Sequence, residues 1–238
     1  EKEFNKGEYY SPKTLQSMAF AFNSAQLEPV STPPDNLKER NLGYYKPAAG
    51  LTILRENILG EVRFDKAFKE YIKRWAFKHP TPEDFFRTME NVSGEELNYF
   101  WRGWFLNKWK IDQAIKNVKY VNGDFTKGAI VTLENIGQLP MPVQLELKFK
   151  DGTSQNLNLP VEIWKRNIEW TFEVPSTKEI ISVQLDPKGS LPDANVSDNI
   201  FKMGNQVVDV INVKDFIGRF VSKQLPFKIE MKTDGNNL

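Results

Sequence analysis

Tyr44 and Tyr45 stand just ahead of an apolar stretch, in the order Tyr44-Tyr45-Lys46-Pro47-Ala48. A phenol there can do one kind of chemistry without being consumed. With a reference pKa of about 10 it stays protonated at neutral pH, so it can donate a hydrogen bond to an oxygen that gains negative charge during a reaction. Other catalytic groups are few. The chain has one histidine, His79, and no cysteine. That excludes a disulfide framework and Cys-type zinc sites. His79 is followed by Pro80 and has no histidine four residues on, so a two-histidine helical zinc site cannot be built; it reads as a loop residue at a helix entry. The carboxylate pairs Glu83-Asp84 and Glu95-Glu96 fall in expected first helical turns, where the backbone dipole favours negative charge, and take no acid or base role. No phosphate loop, nucleophile elbow or internal repeat is apparent, and the sequons at Asn91 and Asn195 carry no weight.

The elements that would position Tyr44 are helical. Ser11-Pro12 opens a first expected helix with Leu15, Met18, Ala19 and Phe22 inward, and Val30 to Asp35 reads as a proline-rich loop. A helix is expected from Pro47, because proline disfavours the α conformation at Lys46 and suits the first helical position; Tyr44 then lies in the lead-in turn. Its inner face is Ala48, Leu51, Leu54 and Ile58, and Gly60 supplies the stop. The next helix has the clearest period, with Phe64, Ala67, Phe68, Tyr71, Ile72 and Trp75 on one side and Lys66, Glu70 and Arg74 on the other. Thr81 is the expected cap of a helix carrying Phe85, Phe86 and Met89, and Ser93-Gly94-Glu95-Glu96 fits a capping box for one carrying Leu97, Trp101, Trp104 and Phe105. The aromatic residues, with Trp109, are core candidates.

Near Asp112 the period changes to 2. Val143, Leu145, Leu147 and Phe149 alternate with polar residues, and Asp151-Gly152 suits a two-residue hairpin turn toward Leu157 and Leu159. Trp170, Phe172 and Val174 continue the alternation, as do Ile181, Val183 and Leu185, which argues for an antiparallel β-sandwich. Beyond Asp186-Pro187 the chain is polar and irregular to Asn199. The expected class is α+β: a helical lobe over residues 1–111, a sandwich over 112–200, and 201–238 as a linker or the start of a further segment. Within that last part Val207 to Leu225 reads as amphipathic.

A chain of 238 residues can bury a sizeable core, and 40% hydrophobic with 26% charged residues excludes bulk disorder. A formal net charge of +1 gives no overall footprint for nucleic acid or an anionic membrane. No apolar run reaches the roughly 18 to 20 residues of a membrane helix. The start at Glu1-Lys2-Glu3-Phe4 and the end at Lys232 to Leu238 suggest an excised or processed piece.

Three segments together resemble the region after the zinc motif in the M1 family of zinc aminopeptidases, particularly bacterial members. They are Tyr44-Tyr45-Lys46-Pro47-Ala48 with Leu51, Leu54, Arg55 and Leu59-Gly60; Phe77 to Phe86; and Phe100-Trp101-x-x-Trp104-Phe105. The resemblance spans about residues 1–200 and is sharpest over 44–106. It implies the C-terminal part of a thermolysin-like catalytic domain followed by a sandwich. It places Tyr44 opposite the metal, donating to the oxyanion of the tetrahedral intermediate, with Tyr45 the runner-up if the register is off by one. On the residues alone, either tyrosine also suits packing at a helix start. Pro47 stands where many relatives have glycine.

In that family zinc is held by His-Glu-x-x-His and a further glutamate, and none of these is in this chain. The resemblance therefore implies a parent enzyme whose zinc is bound by residues absent here, an isolated chain that is inactive, and two partners: the N-terminal remainder of the polypeptide and a peptide substrate. It also favours the bacterial envelope, with the cytoplasm as the other compartment. The competing expectation is a catalytically dead scaffold of the same descent acting through its sandwich, and the presence of the zinc motif upstream of Glu1 would separate the two.

Overall fold

Residues 12–24, 27–38, 42–204, 218–221 and 228–231 are described by the computed structural model. The chain is α+β, with helices first and antiparallel strands after them. Its contacts divide it into two compact units, residues 1–203 and 204–238.

Helices α1 (Pro12–Ser17) and α2 (Ala19–Phe22) bury Leu15, Ala19 and Phe22. Helix α3 (Leu42–Ile53) passes into a π-helical turn at Leu54–Leu59, and Gly60 ends it with φ 77°. Pro47 therefore lies inside α3 rather than at its start. A proline there leaves the Gly43 carbonyl without its donor four residues on, and the contacts of Lys46 described below hold the turn helical. The inner face also differs from the expected one: Lys46, Ala49, Gly50, Ile53 and Leu54 are buried, while Ala48, Leu51 and Ile58 are half-buried.

Helix α4 (Glu61–Trp75) buries Phe64 and Ala67 and keeps Phe68, Tyr71 and Trp75 half-buried, but Ile72 is 50% exposed. On its outer side Arg74 Nε meets Glu70 Oε1 at 2.7 Å. Helix α5 (Pro82–Ser93) has the capping box at its start: Thr81 Oγ1 accepts from Asp84 N, and Asp84 Oδ2 accepts from Thr81 N. Ser93 closes this helix and opens none, because Gly94 takes the left-handed conformation (φ 71°, ψ 25°) that terminates it. Helix α6 (Asn98–Phe100) continues as a second π turn, Trp101–Leu106, and buries Phe100, Trp101, Trp104 and Phe105.

The strands form two sheets around a shared core. One has the order β1 (Gln113–Tyr120), β2 (Ala129–Asn135), β5 (Glu169–Val174); the other has β4 (Ser154–Leu159), β3 (Val143–Phe149), β6 (Ile180–Leu185), β7 (Ile200–Lys202). Val131, Leu133 and Val118 from the first meet Leu145, Leu147 and Val183 from the second in one cluster. In β1 the register skips Lys116, a bulge that lets both Ile115 and Val118 face inward. A second irregularity skips Ile181, so Ile180 is the buried residue and Ile181 is 48% exposed.

The β3–β4 hairpin is closed by three residues rather than two. Phe149 N donates to Thr153 O, Gly152 N donates to Phe149 O, and Gly152 takes φ 83°. This is a type I turn followed by a glycine bulge, which Asp-Gly serves as readily as the tighter turn.

The polar stretch after Leu185 is irregular but not external. Asp186, Ser190, Leu191 and Asp193 are all buried, and Leu191 joins Leu139 and Met141 in the helical core. In the second unit β8 (Gly218–Val221) pairs antiparallel with β9 (Lys228–Met231). The rest of the amphipathic stretch expected from Val207, the terminal Lys232 to Leu238 and Ser11 lie outside the described residues.

Candidate functional site

The first turn of α3 carries three consecutive polar side chains with opposite fates. Tyr44 is 80% exposed, Tyr45 is 50% exposed, and Lys46 is 1% exposed. Residues 46, 49, 50, 53 and 54 share the buried side of the helix, so Lys46 enters the core while Tyr44, two positions earlier, points about 200° away.

Trp104, from the π turn after α6, holds Lys46 at two points. Its indole Nε1 donates to the Lys46 carbonyl at 2.8 Å, and the Lys46 Nζ lies 5.3 Å from the indole centroid. The contact depends on Gly50: a Cβ there would lie 2.3 Å from Trp104 Nε1. No carboxylate forms an ion pair with Lys46 among the described residues, and burial, helped by the nearby Lys108 charge, pushes its amine down to about 8. Further along, Arg55 fixes the end of α3 to α4 with a two-pronged contact to Asp65 at 2.8 and 3.2 Å.

The other sequence candidates are scattered. His79 is exposed in the loop between α4 and α5, away from any partner histidine. Asp84 caps α5, and Glu95 pairs with Arg63 at 2.8 Å. Among the described residues no group of three His, Cys, Asp or Glu side chains could hold a metal ion. No described helix is long and apolar enough to cross a membrane.

Two features of chemical interest carried no separate signal in the sequence. Lys46 is one; it lies seven residues before Ile53 and four before Gly50 on the buried side of a helix that is apolar nearly all round, so its spacing did not set it apart. The other is a set of carboxylates where the sandwich meets the helices. Asp193 accepts from Gln113 N at 3.1 Å and Asn195 N at 2.8 Å, and burial pushes its carboxyl up to about 6, with Asp112 and Asp198 adding repulsion. Asp112 and Asp198 are themselves raised, first by burial.

No protein-family model matches the sequence, and no curated protein matches it. Among solved structures, Legionella pneumophila aminopeptidase A, crystallised with aspartic acid, aligns with a TM-score of 0.46 at 19% identity. The alignment covers 63% of this chain and 17% of that one, so the chain spans under a fifth of its length. The aminopeptidase is a distant structural neighbour.

Proposed function

We propose that this chain is the tyrosine-bearing, C-terminal part of an M1-like zinc aminopeptidase that hydrolyses peptide bonds near the N-terminus of its substrates. Tyr44 donates its phenol hydrogen to the oxyanion of the tetrahedral intermediate, and Tyr45 is the alternative donor. The observation that carries this reading is the contrast within one turn: the Tyr44 side chain is 80% exposed while Lys46 is anchored in the core by Trp104. A donor that stabilises a transition state must be accessible and already held in place, since preorganisation is what makes such a hydrogen bond effective.

In this reading the zinc, its ligands and the general base belong to the N-terminal remainder of the polypeptide, because the described residues offer no set of ligands for a metal. The chain alone is inactive, and its contribution is to bind and orient: α3 presents the phenol, and the π turn at Trp101–Leu106 fixes α3 from behind.

Tyr44→Phe in the intact polypeptide lowers kcat for peptide hydrolysis by roughly two to three orders of magnitude with zinc content unchanged. Turnover close to that of the unmodified enzyme refutes the assignment of Tyr44. The same loss in Tyr45→Phe instead moves the role by one residue. Calorimetric titration of zinc into the 238-residue chain shows no tight stoichiometric site; finding one overturns the division of labour.

A further inference from the structure

Helix α4 ends in an unusual way. Ala76 leaves the helix extended, and Phe77 then takes φ 62° with its side chain 106% exposed. A left-handed backbone is strained for a bulky non-glycine residue, and here that strain accompanies a ring with no apolar burial to offset it. The knob is held outward: Lys78 N donates to Trp75 O at 3.0 Å, closing the turn, and Lys78 Nζ lies 5.9 Å from the Trp75 ring.

Cations flank the knob along the chain. Lys73 and Arg74 occupy the last turn of α4, Lys78 follows, and Lys66, Lys69, Lys73 and Arg74 line an open groove of about 540 Å³ along the helix. The two carboxylates in that groove are already engaged, Asp65 by Arg55 and Glu70 by Arg74. Among the described residues no ion pair engages Lys66, Lys73 or Lys78. The net charge of +1 for the whole chain conceals this local excess.

We propose that the Phe77 knob, with Lys73, Lys78 and the basic groove along α4, docks on an anionic lipid surface. An exposed aromatic ring flanked by lysines matches the membrane interface, where rings sit at headgroup level and each nearby cation is attracted to anionic lipid. A protein partner fits less well. A stable protein interface buries roughly 800 Å² on each side around a well-packed apolar centre, and here a single exposed ring stands between Lys73, Arg74 and Lys78 in the chain. The inference does not depend on the peptidase reading, since neither Tyr44 nor a metal enters it.

Co-sedimentation of the 238-residue chain with phosphatidylcholine vesicles, with and without phosphatidylserine, tests it. The chain sediments with the anionic vesicles, stays in solution with the neutral ones, and is released by high salt. Phe77→Gly weakens binding by about tenfold or more while raising Tm, because glycine relieves the left-handed strain. That opposite movement separates lost docking from lost folding. Lys73→Glu combined with Lys78→Glu abolishes sedimentation. The proposal fails if anionic vesicles do not bind, or if Phe77→Gly binds like the unmodified chain. It also fails if soluble polyglutamate competes as effectively as the vesicles, which would assign the surface to an acidic protein.

Discussion

The Lys46 carbonyl accepts a hydrogen bond from Trp104 Nε1 at 2.8 Å, and the amine of the same lysine lies over the same indole. One side chain thereby grips both ends of a residue in a buried, proline-containing turn. The amine makes the arrangement costly, because no carboxylate pairs with it among the described residues.

That cost gives the first prediction. The folded-state pKa of Lys46 is depressed from 10.5 to about 8, so between these values the unfolded chain binds more protons than the folded one. The penalty is fully present below about pH 8 and is relieved as the pH rises toward about 10.5, a change of about 3 kcal/mol in all. Lys46→Met keeps the apolar stem and removes the charge. It raises stability at pH 7 by about 2 kcal/mol and flattens the pH dependence relative to the unmodified chain, as urea midpoints at pH 7 and about 10 show.

Gly50→Ala tests the close approach that lets Trp104 reach Lys46. Alanine is the better helix former by about 0.5–1 kcal/mol, but its Cβ would lie 2.3 Å from the indole nitrogen. Overpacking outweighs propensity, and the variant loses about 1–3 kcal/mol. A denaturant midpoint equal to or above that of the unmodified chain counts against the contact.

Asp193 shows the reverse dependence on pH. Its folded pKa of about 6 lies above the ordinary value of 3.8, so the folded state holds the proton more tightly and stability falls as the pH rises from about 4 to about 6, by about 3 kcal/mol in total. Asp193→Asn cannot ionise and loses that slope. It also gives up an acceptor for one of the two backbone N–H groups, at a cost of about 1–3 kcal/mol, so the variant is the weaker protein at pH 4 and close to the unmodified one at pH 7. Parallel stability curves across this range would refute the assignment.

Thr81→Ala removes the hydroxyl that accepts from Asp84 N at 3.3 Å. The expected loss is about 1 kcal/mol, with fraying of the first turn of α5 detectable as faster amide exchange at Asp84.

The sequence revealed an element wherever its two sides differ chemically. In α4, Phe64 and Ala67 oppose Lys66 and Arg74; in β3, Val143 to Phe149 alternates without a break; both formed as expected. Helix α3 offered no such contrast. Its residues are apolar nearly all round, so the face chosen through Ala48, Leu51 and Ile58 is only half-buried, and the one polar member of the buried face, Lys46, was not recognised as part of it. Ser93-Gly94 suits either end of a helix, and only the backbone of Gly94 decides between them. Of the candidate site, the exposed phenol was legible as a type of residue in a motif, whereas its anchoring comes from Trp104, 58 positions away in the chain. Contacts at that separation leave no local pattern. The stretch from Asp186 to Asn199 is polar and irregular, as expected, but polarity gave no sign that its carboxylates receive backbone N–H groups inside the fold.

That return segment has a consequence for how the unit from residue 1 to 203 comes apart. It follows the sixth strand of the sandwich, yet its Ser190 accepts from Asn57, the carbonyls of Pro192 and Asp193 accept from Asn23 and Gln16, and Leu191 sits among the helical aromatics. Melting the helices would strip the segment of Asn57, Asn23, Gln16 and its apolar partners at once, and melting the sheets would take away Gln113 N and pull it out of the helices. Helices and sandwich are thus tied into one cooperative transition, with calorimetric and van't Hoff enthalpies that agree.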